Sequence, residues 1–130
     1  MKKVIFYTDK NGNSELFNYL RVLELRNDKN SLINAKKIYS YIENLSKYGV
    51  SMGEPMVKHI GNKIWELRPL KHRILFFENT DSYVLLNYFI KSTNKTPIKE
   101  IIKARKRMND YLNRENKKWV VLKMDWIGKM

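Results

Sequence analysis

Four residues in the middle of the chain have the side chains that chemistry on a phosphodiester requires. Arg68 and Arg73 supply guanidinium groups, Lys91 supplies an ammonium group and Glu66 a carboxylate. Guanidinium groups bind phosphate oxygens through paired hydrogen bonds, and fixed cations stabilise the negative charge of a phosphoryl transition state. When a neighbouring 2′-hydroxyl is the nucleophile, RNA cleavage needs no metal, only a positioned hydroxyl and two proton transfers. We therefore take these four as candidate catalytic residues.

Four further residues are candidates for RNA binding. Lys95 lies just before a predicted helix, and Phe89 offers a ring that could stack on a base. Lys58 and His59 lie on the strand that is predicted to neighbour the one carrying Glu66. Together with the catalytic candidates, they would give one basic surface with an aromatic residue.

Each candidate also has an ordinary explanation. Arg68 and Arg73 could pair with nearby glutamates, and Glu66 is more easily explained as the partner that orients Arg68 than as a general base. His59 and His72 could equally be surface or core residues without a role in catalysis. Because two histidines and scattered carboxylates show no ligand spacing, we expect neither a metal site nor a cofactor.

The net charge favours a polyanionic partner. The 130 residues include 26 Lys and Arg against 13 Asp and Glu, a net charge of +13, and the excess is largest in residues 57–118. Lysine-rich codon usage would explain part of it. With 43% hydrophobic residues, no cysteine and no apolar run near the roughly 20 residues of a membrane span, we expect a single cytoplasmic domain without disulfides. The first residues resemble a strand more than a signal peptide.

The hydrophobic pattern predicts an α+β domain of order β-α-α-β-β-β-β-α, with a mainly antiparallel sheet and the helices packed on one face. The predicted strands are residues 3–7, 56–60, 63–68, 73–78 and 83–90, and the predicted helices are 14–27, 31–48 and 97–113. Ser14, Ser31 and Thr96 are the expected N-caps, and Gly61-Asn62 the expected hairpin turn. We expect the domain to span residues 1–114 and leave the tail 115–130 unassigned: an added strand, a docking arm or a disordered end.

The alternation of side chains predicts which residues share a face. With Trp65 and Leu86 in the core, one exposed surface receives Glu66, Arg68, Asn87 and Lys91, with Arg73 at its rim. The last helix is expected to turn its apolar residues inward: Ile98, Ile101, Ile102, Met108 and Leu112.

An ordered series of segments over residues 3–114 resembles the HigB/RelE-type toxins, in particular their phage-derived HigB-like branch. The segments are Ile64–Arg68 (IWELR), His72–Leu75 (HRIL), Leu85–Lys91 (LLNYFIK), Lys95–Pro97 (KTP) and Ala104 in a basic helix. Any single segment would be weak, whereas their combined spacing is fairly specific.

The resemblance implies a RelE-like fold and a cytoplasmic endoribonuclease that cleaves mRNA without a metal, commonly on the ribosome. It also implies neutralisation by a cognate helix-turn-helix antitoxin of the HigA type. Arg68, Arg73 and Lys91 match the basic positions of the family, and Phe89 matches its aromatic position. Ser92 replaces a second lysine, and Asn87-Tyr88 replaces His-Gly, so that the general base is left open.

Two other classes compete with a toxin. The chain could be a non-catalytic RNA- or DNA-binding module, or an interaction protein whose charge meets an acidic partner. The sequence also leaves open the codon preference, the need for a ribosome and the stoichiometry of an antitoxin complex.

Overall fold

The computed structural model describes the backbone of residues 1–128 and the side chains of residues 1–115. The elements are β1 (Lys3–Phe6), α1 (Glu15–Arg26), α2 (Lys29–Tyr48), β2 (Val57–Gly61), β3 (Ile64–Leu67), β4 (His72–Glu78), β5 (Ser82–Ile90) and α3 (Ile98–Gly128). A short 3-10 turn, Gly49–Met52, follows α2. The predicted α+β class and the order of the elements are confirmed.

The five strands form one sheet in the order β1-β5-β4-β3-β2. The pairs β2–β3, β3–β4 and β4–β5 are antiparallel, whereas β1 pairs with β5 in parallel. Antiparallel neighbours need only short turns, whereas a parallel pair needs a long connection between its strands. Here the chain runs from β1 through the α1–α2 hairpin and then through β2, β3 and β4 before it reaches β5. The strand β5 lies between β1 and β4, in the interior of the sheet.

Helices cover both faces of the sheet, which differs from the predicted arrangement on one face. Phe76 and Leu85 pack with Leu20 of α1 and Ile38 of α2, on what we call the α1/α2 face. On the opposite face, called the α3 face, apolar residues of β3, β4 and β5 pack against α3. They are Ile64, Leu75, Phe77, Val84 and Leu86, in contact with Ala104 and Met108. The strands carry apolar residues at both odd and even positions. Their sequences are therefore equally compatible with burial on one face of the sheet and with burial on both faces.

Capping residues mark the ends of the first two helices. The Ser14 side chain accepts a hydrogen bond from a backbone N–H of the first turn of α1, as expected. The cap of α2 is Asp28, not Ser31: its carboxylate accepts from the Ser31 backbone N–H and hydroxyl, both at 2.8 Å. Gly49 ends α2 with φ 63°, and a Cβ there would collide with the hydroxyl of Tyr83.

The β2–β3 turn lies one residue later than predicted. Asn62 and Lys63 occupy its two central positions with φ of 48° and 71°, as a type I′ turn requires. Gly61 is instead the last residue of β2, opposite Ile64, where the register shifts.

The third helix continues to Gly128, well beyond the predicted end near Asn113. The predicted domain boundary at residue 114 therefore falls inside α3, and the backbone excludes an added strand over residues 115–128. A separate role for residues 115–130 stays a prediction. Within the described part of the chain, no helix is long and apolar enough to cross a bilayer.

Among the described side chains of α3, the apolar residues differ in how far they are buried. Ala104 and Met108 are buried, whereas Ile98 and Ile102 are 74% and 52% exposed, contrary to the predicted inward orientation. The first turn of α3 nevertheless contacts the sheet through Glu100, which is buried and accepts a hydrogen bond from Asn87 of β5. The candidate residues lie near this end of α3, at the adjoining ends of β3, β4 and β5.

Candidate functional site

A β-bulge in β5 decides which side chains turn toward α3. Leu75 of β4 pairs with Asn87, but the next residue, Phe76, pairs with Leu85, so that Leu86 is an extra residue. Leu86 and Asn87 consequently both lie on the α3 face, and Tyr88 lies on the α1/α2 face. The prediction that Leu86 and Asn87 point to opposite faces is wrong, because a strict period of two ignores the bulge.

Glu66 is the centre of the candidate site. Its side chain is 2% exposed, and its Oε1 atom accepts from Arg68 Nε at 3.0 Å and lies 3.9 Å from Arg73 Nε. Its Oε2 atom accepts from the Thr96 hydroxyl at 2.7 Å. Both carboxylate oxygens are therefore engaged, which is the geometry of an orienting partner. Glu66 was expected on an exposed surface, and it is buried instead.

Arg73 is held mainly by the backbone around it. Its Nη1 atom donates to the carbonyl oxygens of Leu70 and His72 at 2.9 and 2.8 Å. Burial lowers the pKa of Arg73, the charge of Arg68 adds to this effect, and Glu66 opposes it. An arginine pKa starts so high that the group stays protonated. Two guanidinium groups thus share one carboxylate and leave an excess of one positive charge.

Asn87 connects the sheet to the beginning of α3. It is fully buried, and its Nδ2 atom donates to the Glu100 backbone oxygen at 3.2 Å and to Glu100 Oε1 at 3.1 Å. Glu100 also pairs with Lys103 at 3.6 Å. Asn87 was predicted on the open surface, and this is wrong because the first turn of α3 covers it.

Exposed lysines surround the two arginines. Lys58 lies opposite Glu66 in the β2–β3 register, which places it on the α3 face. Lys91 follows Phe89 by two residues and therefore shares its face, and Lys95 lies in the exposed segment between β5 and α3. Among the described residues, none of these three lysines has an ion-pair partner. Phe89 is half-buried and lies opposite Arg73.

Both histidines lie on the α1/α2 face, away from the arginines. His59 is opposite Trp65, with 4.7 Å between the ring centroids. His72 is 4% exposed, and its Nε2 atom is 2.6 Å from the hydroxyl of Tyr19. The ordinary explanation for His72, a core histidine with a partner, agrees with this contact. His59 was predicted on the same surface as Glu66, and the register contradicts this.

Sequence reasoning missed the contribution of Thr96. The Thr96-Pro97 pair indicated an N-cap, yet the hydroxyl donates to Glu66 and so ties the β5–α3 segment to the arginine pair. The backbone N–H of Glu100 is instead satisfied by the Pro97 carbonyl at 3.0 Å. The only signal was the position of Thr96 inside the motif Lys95–Pro97.

The arrangement can bind an anion and neutralise developing negative charge. The Arg68 side chain is 20% exposed, and its contact with Glu66 fixes its orientation. Preoriented cations of this kind need little reorganisation when a phosphate becomes more negative.

The sequence matches the model of the phage-derived Gp49-like (DUF891) family over residues 28–109. Because this match covers more than half of the chain, the protein belongs to that family, which is a family of RelE/HigB-like toxins. No curated protein matches the sequence. All candidate residues named above lie inside the matched range.

Proposed function

We propose that the protein is the toxin of a toxin–antitoxin system, of the HigB-like branch, and that it is a metal-independent endoribonuclease that cleaves mRNA. The observation that carries the proposal is the pair Arg68 and Arg73 fixed on the buried Glu66, at the edge of a face with exposed lysines. Membership in a family of RelE/HigB-like toxins supports the same conclusion.

The proposed reaction is an internal transesterification. The 2′-oxygen of one nucleotide attacks the adjacent phosphorus, the bond from phosphorus to the 5′-oxygen breaks, and the products are a 2′,3′-cyclic phosphate and a 5′-hydroxyl. Arg68 and Arg73 stabilise the charge on the phosphoryl oxygens, and Lys91 and Lys95 hold the flanking phosphates. A base takes the 2′-hydroxyl proton and an acid protonates the leaving 5′-oxygen.

The partners follow from the same proposal. The substrate is single-stranded mRNA, presented on the ribosome in the cytoplasm, and an antitoxin of the helix-turn-helix, HigA-like type neutralises the toxin. The net charge of +13 suits both the messenger and ribosomal RNA.

A non-catalytic RNA-binding module is the second candidate. It is favoured by one observation: both oxygens of Glu66 are engaged and both histidines lie on the other face, so that the ordinary proton-transfer groups are elsewhere or occupied. Such a module would bind phosphates with the same cations and would make no new RNA ends.

Induced expression followed by mapping of mRNA 5′ ends separates the two candidates. We expect growth arrest and discrete new 5′-hydroxyl ends from the wild type. We expect Arg68→Ala to reduce the ends by about 100-fold, since it removes one preoriented cation. Arg73→Ala should do the same, with its fold checked by circular dichroism because Arg73 is buried.

Lys36→Ala is the matched control, because Lys36 is an exposed cation on α2. It should cut like the wild type. Arrest without new ends would favour the binding module. Undiminished cutting by Arg68→Ala would remove the site assignment.

A further inference from the structure

A cavity of about 460 Å³ lies between the first turns of α2 and the β3–β4 loop. Its lining residues are Asn30, Ile33, Asn34, Leu70 and Lys71. None of them was singled out by the sequence, and none belongs to the Glu66 cluster. The cavity falls within the range of volumes of small-ligand sites.

The cavity is lined by side-chain amides that have no hydrogen-bond partner among the described residues and by apolar side chains. Within the part of the chain that the structure describes, the side-chain amides of Asn30 and Asn34 have no hydrogen-bond partner. Ile33 and Leu70, which are 48% and 46% exposed, supply the apolar part of the wall. Leu70 also has φ of 56°, a left-handed conformation that is rare for a residue of this size and often marks a functional site.

Two hydrogen bonds join this cavity to the proposed catalytic residues. The Leu70 carbonyl oxygen accepts from Arg73 Nη1 at 2.9 Å, and the Lys71 carbonyl oxygen accepts from the backbone N–H of Lys91 at 2.7 Å. The loop that forms one wall of the cavity is therefore fixed by the same residues that we expect to hold the phosphates. The contact with the Leu70 carbonyl therefore places the Arg73 guanidinium against the loop that lines the cavity.

We propose that the cavity is a base-recognition subsite, which takes one unstacked nucleobase next to the phosphate on Arg73. The inference rests on the RNA binding proposed above and adds the residues that distinguish one base from another. The aliphatic side chains of Ile33 and Leu70 contact the faces of the ring. The amides of Asn30 and Asn34 each offer a donor and an acceptor to its edge, and single-stranded RNA is recognised through such edges.

An apolar protein segment fits the cavity less well. It would cover the two amides without giving them partners, and a buried polar group without a hydrogen bond is unfavourable. A nucleobase satisfies the amides and also brings a phosphate close to Lys71.

The test measures binding to short RNA oligomers whose 2′-hydroxyls are methylated, so that they bind without being cleaved. Each position is varied through the four bases, and affinity is followed by fluorescence anisotropy. The wild type should prefer one base about tenfold at a single position, as expected for one well-read edge. Asn34→Ala and Asn34→Leu, the second of which keeps the cavity filled, should reduce this preference to less than about twofold.

Arg68→Ala should instead weaken binding to all oligomers equally and keep the base preference. Asn18→Ala, which removes an exposed amide from α1, is the matched control and should change neither quantity. An undiminished base preference in both Asn34 variants, or equal wild-type affinity for all four bases, would overturn the subsite while leaving RNA binding intact. A wild type that binds none of the oligomers would overturn the proposed function as well.

Discussion

The two faces of the sheet bury different kinds of side chain. The α1/α2 face buries a mainly apolar set of residues, with His72 among its few polar members. The α3 face buries Leu75 and Phe77 near its middle, but toward the ends of the strands it buries Glu66, Arg73 and Asn87. Among residues 1–115, carboxylate and guanidinium groups are thus buried only on the α3 face.

The difference shows how a basic site can be fixed without losing its access to solvent. A buried carboxylate requires partners, and Glu66 has Arg68, Arg73 and Thr96. Full coverage by a second helix would make the same cluster inaccessible to a phosphate. Here the segment before α3 contributes Thr96 to the buried carboxylate, while the Arg68 side chain stays 20% exposed. On the α1/α2 face, covered by a helical hairpin, no carboxylate or guanidinium group of the described residues is buried.

The largest effect is expected from removing the charge of Glu66. In Glu66→Gln the two guanidinium groups keep their burial but lose their counter-charge, and we expect the free energy of unfolding to fall by about 2–3 kcal/mol. The value lies below that of a fully buried pair, because the Arg68 side chain is 20% exposed. Urea denaturation measures it.

The control is Glu43→Gln on α2, which removes an exposed carboxylate that pairs with Lys47 at 2.9 Å. Its effect should be much smaller, because exposed i,i+4 pairs contribute little. Equal losses in the two variants would mean that Glu66 does not hold the arginines in place.

Much of the fold could be predicted because the responsible signals are local. Ser14, Gly49 and the alternation in the strands mark their elements correctly, since capping, left-handed φ and side-chain period depend on a few neighbouring residues. The placement of α3 could not be predicted, because strands apolar at both parities fit burial on one face or on two. The predicted position of the β2–β3 turn was wrong by one residue, because Gly61, Asn62 and Lys63 can all be accommodated in a turn.

The candidate site was predictable only in part. Arg68, Glu66 and Lys91 share a face as the alternation predicts, whereas the burial of Glu66 depends on Thr96, 30 residues away in the sequence. The extra residue Leu86 reverses the faces to which odd- and even-numbered residues of β5 point, from Asn87 onward. Nothing in the local sequence marks this bulge. Tertiary contacts of this kind carry no periodic signal.

A smaller effect is expected from His72, a buried polar residue of the α1/α2 face. Burial lowers the pKa of His72, so that the unfolded chain takes up a proton at a higher pH than the folded protein does. The stability contributed by neutral His72 is therefore complete above about pH 6.5 and is lost as the pH falls below it, by up to about 1.4 kcal/mol for each pH unit.

The matched variant is His72→Gln, which does not titrate. It should be less stable than the wild type at pH 7.5, because the contact with Tyr19 changes, and the difference should become smaller between pH 6.5 and pH 5. Urea denaturation at several pH values measures this. Parallel pH profiles for the two proteins would show that His72 titrates alike in the folded and unfolded states.

The smallest effect is expected from His59→Ala, and it tests whether RNA cleavage is confined to the α3 face. His59 is exposed and contacts Trp65 by ring packing, so that its loss should cost about 0.5–1 kcal/mol in the free energy of unfolding. Because its register places it on the α1/α2 face, the same variant should cut mRNA and arrest growth like the wild type. A loss of cutting near that of Arg68→Ala, with stability preserved, would mean that RNA reaches around the edge strand β2. RNA cleavage would then not be confined to the α3 face, and the imidazole of His59 would become the leading candidate for the missing base.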